Sequence, residues 1–173
     1  MDQQSLSAVI RDQTERALWE VKNVIDCVPD ALWDRPYCDA PLWQHIYHML
    51  HSLDLWLVNP RSKAYTEPAF HVENLNNLDV PASIRLSRGE IDGYYLQIAA
   101  KIRDYTFQLR DNILLDRPES CEYTAFTLIL AQLRHLHTHM GILMGFFIAD
   151  SGLWPRVLGL ENEIPRGAYD RYF

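Results

Sequence analysis

The chain has 173 residues, 48% of them hydrophobic and 23% charged, which suits one soluble globular domain (1–173) burying about 70% of the surface of its unfolded chain. A net charge of −7 and a pI near 5.4 oppose binding to a phosphate backbone, and no Lys/Arg cluster reverses this locally, so nucleic acid is not an expected partner. No run of about 20 uncharged apolar residues occurs, and Met1 to Ser5 lack a basic head before an apolar run, so neither a membrane span nor an export signal is expected.

Helical periodicity dominates from the start. From Ser5 to Cys27 the apolar Leu6, Ile10, Ala17, Val21 and Val24 recur at three-, four- and seven-residue spacing, with Arg11, Glu15, Lys22 and Asp26 on other faces. Val28-Pro29-Asp30 ends this first helix, and a connection follows through Leu32, Trp33, Pro36 and Tyr37. Asp39 and Pro41 signal a second helix from about Leu42 to Val58, stopped by Asn59-Pro60. Arg61 to Leu86 reads as a long polar connection, too irregular for a core element and long enough to be a functional cover. Ser87-Arg88-Gly89-Glu90 is a capping box that opens a third helix with the stripe Ile91, Tyr95, Ile98, Ile102, Tyr105 and Leu109, reaching about Arg110. Ser120 is a candidate cap for the fourth helix, which covers the apolar stretch Tyr123 to Ala149. No alternating strand, internal repeat or low-complexity tract stands out. Cys27, Cys38 and Cys121 are an odd set without CxxC spacing, which fits a reducing, cytoplasmic setting and buried free thiols.

Such a chain is all-α, a four-helix bundle, and bundles build metal and ligand sites from side chains on facing helices. The fourth helix offers His135-Leu136-His137-Thr138-His139. Residues four apart share a helix face, so His135 and His139 have the spacing of a bidentate metal clamp, while His137 points elsewhere. Along the same stripe lie Leu128, Gln132, Ile142 and Phe146, which turns both imidazoles toward an apolar interior. A third ligand has to come from another element. The second helix holds His45, His48 and His51, with its apolar arc centred on Ile46, Leu50, Leu53 and Leu57. His51 falls at the edge of that arc, beside Tyr47 and Asp54, and is the better third ligand. His48 lies toward Gln44 and Ser52, and is the reserve. Asp54 either accepts an imidazole N–H or is a solvated acid; Tyr47 and Gln132 have the same two readings. His71 reads as a loop histidine, Trp19, Trp56 and Phe147 as core, and Trp154 as tail packing.

The segment Trp43 to Asp54, with a histidine eight residues after the tryptophan, and the segment His135 to Gly141 resemble the DinB/YfiT-like superfamily of metal-binding four-helix bundles. The resemblance covers nearly the whole chain in helix order, and its specific part is these two motifs. It implies an up-down-down-up or related topology and a divalent metal, commonly zinc or nickel, held by His51, His135 and His139. Ile142 stands where members often have glutamine, so a polar supporting role there is not carried over. Three histidines leave a coordination position open, which points toward activation of a thiol or water, as in the family's thiol S-transferases; the alternative is a non-catalytic metal- or small-molecule-binding bundle. The resemblance also suggests a low-molecular-weight thiol as cosubstrate and a homodimer, for which the apolar tail Leu153 to Leu160 is a candidate surface.

Overall fold

A computed structural model of the chain describes residues 5–57, 62 and 65–173. It is mostly helical. Its four α-helices are α1 (Leu6–Cys27), α2 (Leu42–Trp56), α3 (Arg88–Gln108) and α4 (Ala125–Ser151), with 3-10 turns at Asp30–Leu32 and Asp111–Ile113. None of them is long and apolar enough to cross a membrane.

Each helix start is set by local chemistry. At α1 the Ser5 hydroxyl accepts the Ala8 N–H, and the Asp111 carboxylate takes the N–H groups of Leu6 and Ser7 at 3.0 and 2.8 Å, an anion placed on the positive end of the helix. The Ser87/Glu90 capping box forms as the sequence predicts. The predicted cap of α4 moves: Ser120 has φ 59°, outside the extended conformation a cap requires, and Thr124 takes the role by accepting the Thr127 N–H. Gly152, at φ 70°, closes α4 in the left-handed conformation that glycine adopts without strain. The second helix was expected to reach Val58; it ends at Trp56, and Val58 lies outside the described residues. One feature not anticipated is a two-residue ribbon, β1 (Pro36–Tyr37) with β2 (Ala40–Pro41). Its turn residues Cys38 and Asp39 both have positive φ, as a tight primed hairpin requires.

Cross-helix contacts fix the arrangement. Tyr95 donates to the Leu18 carbonyl and Lys22 pairs with Asp92, so α3 runs antiparallel to α1. His45 packs on Phe146 while Ser52 meets His135, so α4 runs antiparallel to α2. The α1·α4 and α2·α3 contacts close the ring. Ile10 and Glu20 of α1 meet Ile129 and His137 of α4 in that order, so α1 and α4 run one way and α2 and α3 the other. The larger apolar cluster among the described residues fills the centre with Leu18, Val21, Ile46, Leu50, Ile98 and Phe147, and a smaller one gathers Ile10, Leu109, Leu114 and Ile129.

The described part of the connection between α2 and α3 contributes to this core rather than forming only a polar cover. Leu75 and Leu86 are fully buried, and the Trp33 indole N–H donates to the Leu86 carbonyl. Gln44, also fully buried, extends its amide Nε2 to the carbonyls of Leu75, Asn77 and Val80. The C-terminal segment folds back onto α1 in the same manner. Buried Asn23 donates to the Arg156 and Arg171 carbonyls and accepts the Arg171 N–H. Leu153, Trp154 and Leu160 of this segment are exposed.

Candidate metal centre

Antiparallel packing of α2 on α4 brings three imidazoles together. His48, His135 and His139 each offer a ring nitrogen within 4.8 Å of the others, so they are placed where one metal ion can bind all three. The Nε2 atoms of His135 and His139 are 3.0 Å apart. Adjacent nitrogen ligands on an ion held at 2.0–2.1 Å are separated by about 3 Å, so the pair needs little movement to become a clamp. The His48 ring centre lies 4.5 Å from that of His139 and 5.9 Å from that of His135.

Outer partners orient these rings. His48 Nδ1 is 2.7 Å from the Asn76 carbonyl, which can only accept, so Nδ1 carries a proton and Nε2 is the ring nitrogen left for a ligand. His135 Nδ1 meets the Ser52 hydroxyl at 3.2 Å, leaving its Nε2 toward His139. Burial, then the neighbouring His48, His135 and His45, push the His139 pKa down to about 4. Burial, His48 and Arg134 lower that of His135 as well. Both rings are therefore neutral near pH 7, with lone pairs open to a cation. Three imidazoles form a nitrogen donor set suited to zinc, nickel or copper rather than to magnesium or calcium.

His51 does not join this group. It is 3% exposed, and its Nε2 sits 2.7 Å from Glu67 Oε2 on the long connection, with the His71 ring stacked on it at 5.2 Å. Burial lowers its pKa, against the opposing effect of Glu67. The helix-two member of the triad is thus His48, the reserve of the sequence reading. The cause lies in the face chosen. His45, His48 and Ser52 together face α4, and that face is polar because it meets the histidines. A hydropathy arc reads such a face as solvent. The connection covers another side of α2, burying Gln44, so polarity around this helix does not report exposure.

The α4 stripe shifts in the same sense. Its buried line is Leu128, Gln132, Leu136, Met140, Leu143 and Phe147, so His135 and His139 sit half-buried at its edge, and Ile142 is exposed. His137 faces away, donating Nδ1–H to the Leu133 carbonyl with Nε2 3.6 Å from Glu20, whose carboxylate raises its pKa. Asp54 serves neither His51 nor the triad through a hydrogen bond among the described residues; it accepts from Tyr94 at 3.0 Å and pairs with Lys101. Tyr47 is fully buried with its hydroxyl on His71 Nδ1, and Gln132 is buried with Oε1 unpartnered among the described residues. Trp19 and Phe147 are core as expected, whereas Trp56 is 37% exposed. Asn76 and Ser52 were missed, and Asn76 carried no signal, since any residue's carbonyl could serve there. No protein family, curated protein or solved structure matches this chain, and the centre stands on its own geometry.

Proposed function

We propose that the chain is a metal-dependent enzyme of the DinB/YfiT-like kind, with a divalent ion, zinc or nickel, held by His48, His135 and His139. It would act on a small electrophile with a low-molecular-weight thiol, or water, as nucleophile. The observation that carries this reading is the convergence of three imidazoles from two helices, two of them with Nδ1 engaged outside the cluster. A bound ion with an open position supplies Lewis acidity, which turns a thiol or water into a nucleophile near neutral pH. The chain's own residues do the positioning. The Asn76 carbonyl and Ser52 hydroxyl hold the His48 and His135 rings, and the low proton affinity of His139 keeps its nitrogen free of competition.

The test joins metal content with turnover. Purified protein is expected to hold a divalent ion that His135→Ala loses severely, and to transfer a bacillithiol-like or glutathione-like thiol to chloro-aromatic or epoxide acceptors in a metal-dependent way. Ion retention by wild type with no turnover on any such pair would assign a binding bundle instead. Undiminished ion retention by the His48→Ala, His135→Ala and His139→Ala proteins would remove the centre itself.

A further inference from the structure

A second set of donor atoms lies on the other flank of α2. His51 comes from the helix, and Glu67 and His71 come from the connection, where a turn closed by the His71 N–H on the Pro68 carbonyl at 2.8 Å brings them to one side. The three offer ligand atoms within 4.8 Å of one another. His51 Nε2 and Glu67 Oε2 are 2.7 Å apart, and His71 Nδ1 is 3.8 Å from the same carboxylate oxygen. Two phenols border the spot. The Tyr65 hydroxyl lies 3.1 Å from Glu67 Oε2 and 3.3 Å from His51 Nε2, and the Tyr47 hydroxyl lies 2.5 Å from His71 Nδ1.

We infer that His51, Glu67 and His71 form a second divalent-metal site, separate from the triad of α2 and α4. Two imidazoles with one carboxylate are a donor set taken by zinc, iron(II), cobalt(II) and manganese(II), and three protein ligands leave room for a further oxygen. Burial favours it. His51 is buried and His71 half-buried, so two of the ligands sit away from bulk water, while the 45% exposed Glu67 side chain leaves an entry path. Because its ligands come from both α2 and the connection, an ion here fastens the connection to the helix. That same connection delivers the Asn76 carbonyl to His48, so filling the second site would also steady the first.

The experiment is titration of the metal-stripped full chain with cobalt(II) alone, read by d–d absorption and by equilibrium dialysis. Wild type is expected to take two ions per chain, Glu67→Gln and His71→Ala one each, His48→Ala one, and the His48→Ala/Glu67→Gln pair none. Glu67→Gln keeps the side chain's shape, so its loss of an ion reports ligation rather than misfolding. If the proposed enzyme centre is wrong but this site is right, His48→Ala matches wild type while Glu67→Gln loses an ion. The inference is overturned if Glu67→Gln and His71→Ala both bind cobalt(II) with the stoichiometry and affinity of wild type, or if His48→Ala takes up none.

Discussion

Gln44→Ala is the perturbation that links the fold to the metal centre most tightly. The Gln44 amide is fully buried and meets three carbonyls of the connection, at 3.3 Å to Leu75, 3.1 Å to Asn77 and 3.3 Å to Val80. Its two N–H groups contribute about 1 kcal/mol net each, and burying carbonyls left unpaired adds about 1 kcal/mol more where water cannot reach them. Asn77 is exposed, so water can replace part of the loss, whereas Leu75 is fully buried. The expected cost is therefore about 2–3 kcal/mol, or roughly a 4–12 °C drop in melting temperature for a chain of this size. Urea unfolding reads the first number. Hydrogen exchange reads its location: the Leu75, Asn77 and Val80 amides, which close turns within the connection, should lose protection first. Because Asn76 orients His48 from the same segment, metal affinity should also fall by about tenfold. Stability within about 0.5 kcal/mol of wild type, with these amides as protected as before, would refute the view that Gln44 pins the connection.

Asn23→Ala should cost about 2–4 kcal/mol and free residues 153–173 to limited proteolysis, since it removes the three hydrogen bonds that tie the C-terminal segment to α1. Stability should fall in acid. Asp111 is held below its ordinary 3.8 by the Ser7 hydroxyl and the Ser7 and Leu6 N–H groups, and Glu90 below 4.5 by the Ser87 N–H and hydroxyl. Both contributions are complete above the unfolded values and vanish as pH drops through the folded ones, so urea midpoints should decline below about pH 4.5 and stay flat in this respect above it. Among the thiols, exposed Cys38 should alkylate at once, while Cys27, buried and pushed up to about 11 by that burial, should react only on unfolding; equal fast labelling of both would contradict the packing at Arg171 and Tyr172.

The four helices and the Ser87/Glu90 box were legible because each depends on local signals: an apolar stripe at helical spacing, or a hydroxyl and carboxylate three residues apart. The His135/His139 pair was legible for the same reason, since both ligands lie on one helix. What failed to show was any choice depending on a neighbour. Helix two is buried on nearly every side, so its hydropathy arc selected His51 although the face toward α4 carries His45, His48 and Ser52. The connection looked polar because its asparagines spend their backbone carbonyls on Gln44 and His48, which composition does not reveal. Ser120 has the side chain of a cap but not the backbone, because it takes a positive φ in the turn, closed by the Cys121 N–H on the Pro118 carbonyl, that seats Cys121 in the interior.

The proposed centre holds one divalent ion between α2 and α4. Anomalous scattering at the zinc absorption edge, from crystals grown with zinc equimolar to protein, tests it most directly. The expected peak lies about 2.0–2.1 Å from nitrogens of His48, His135 and His139, with an uncovered coordination position. A map with no peak between these three rings, or with zinc found solely beside His51, Glu67 and His71, would contradict it.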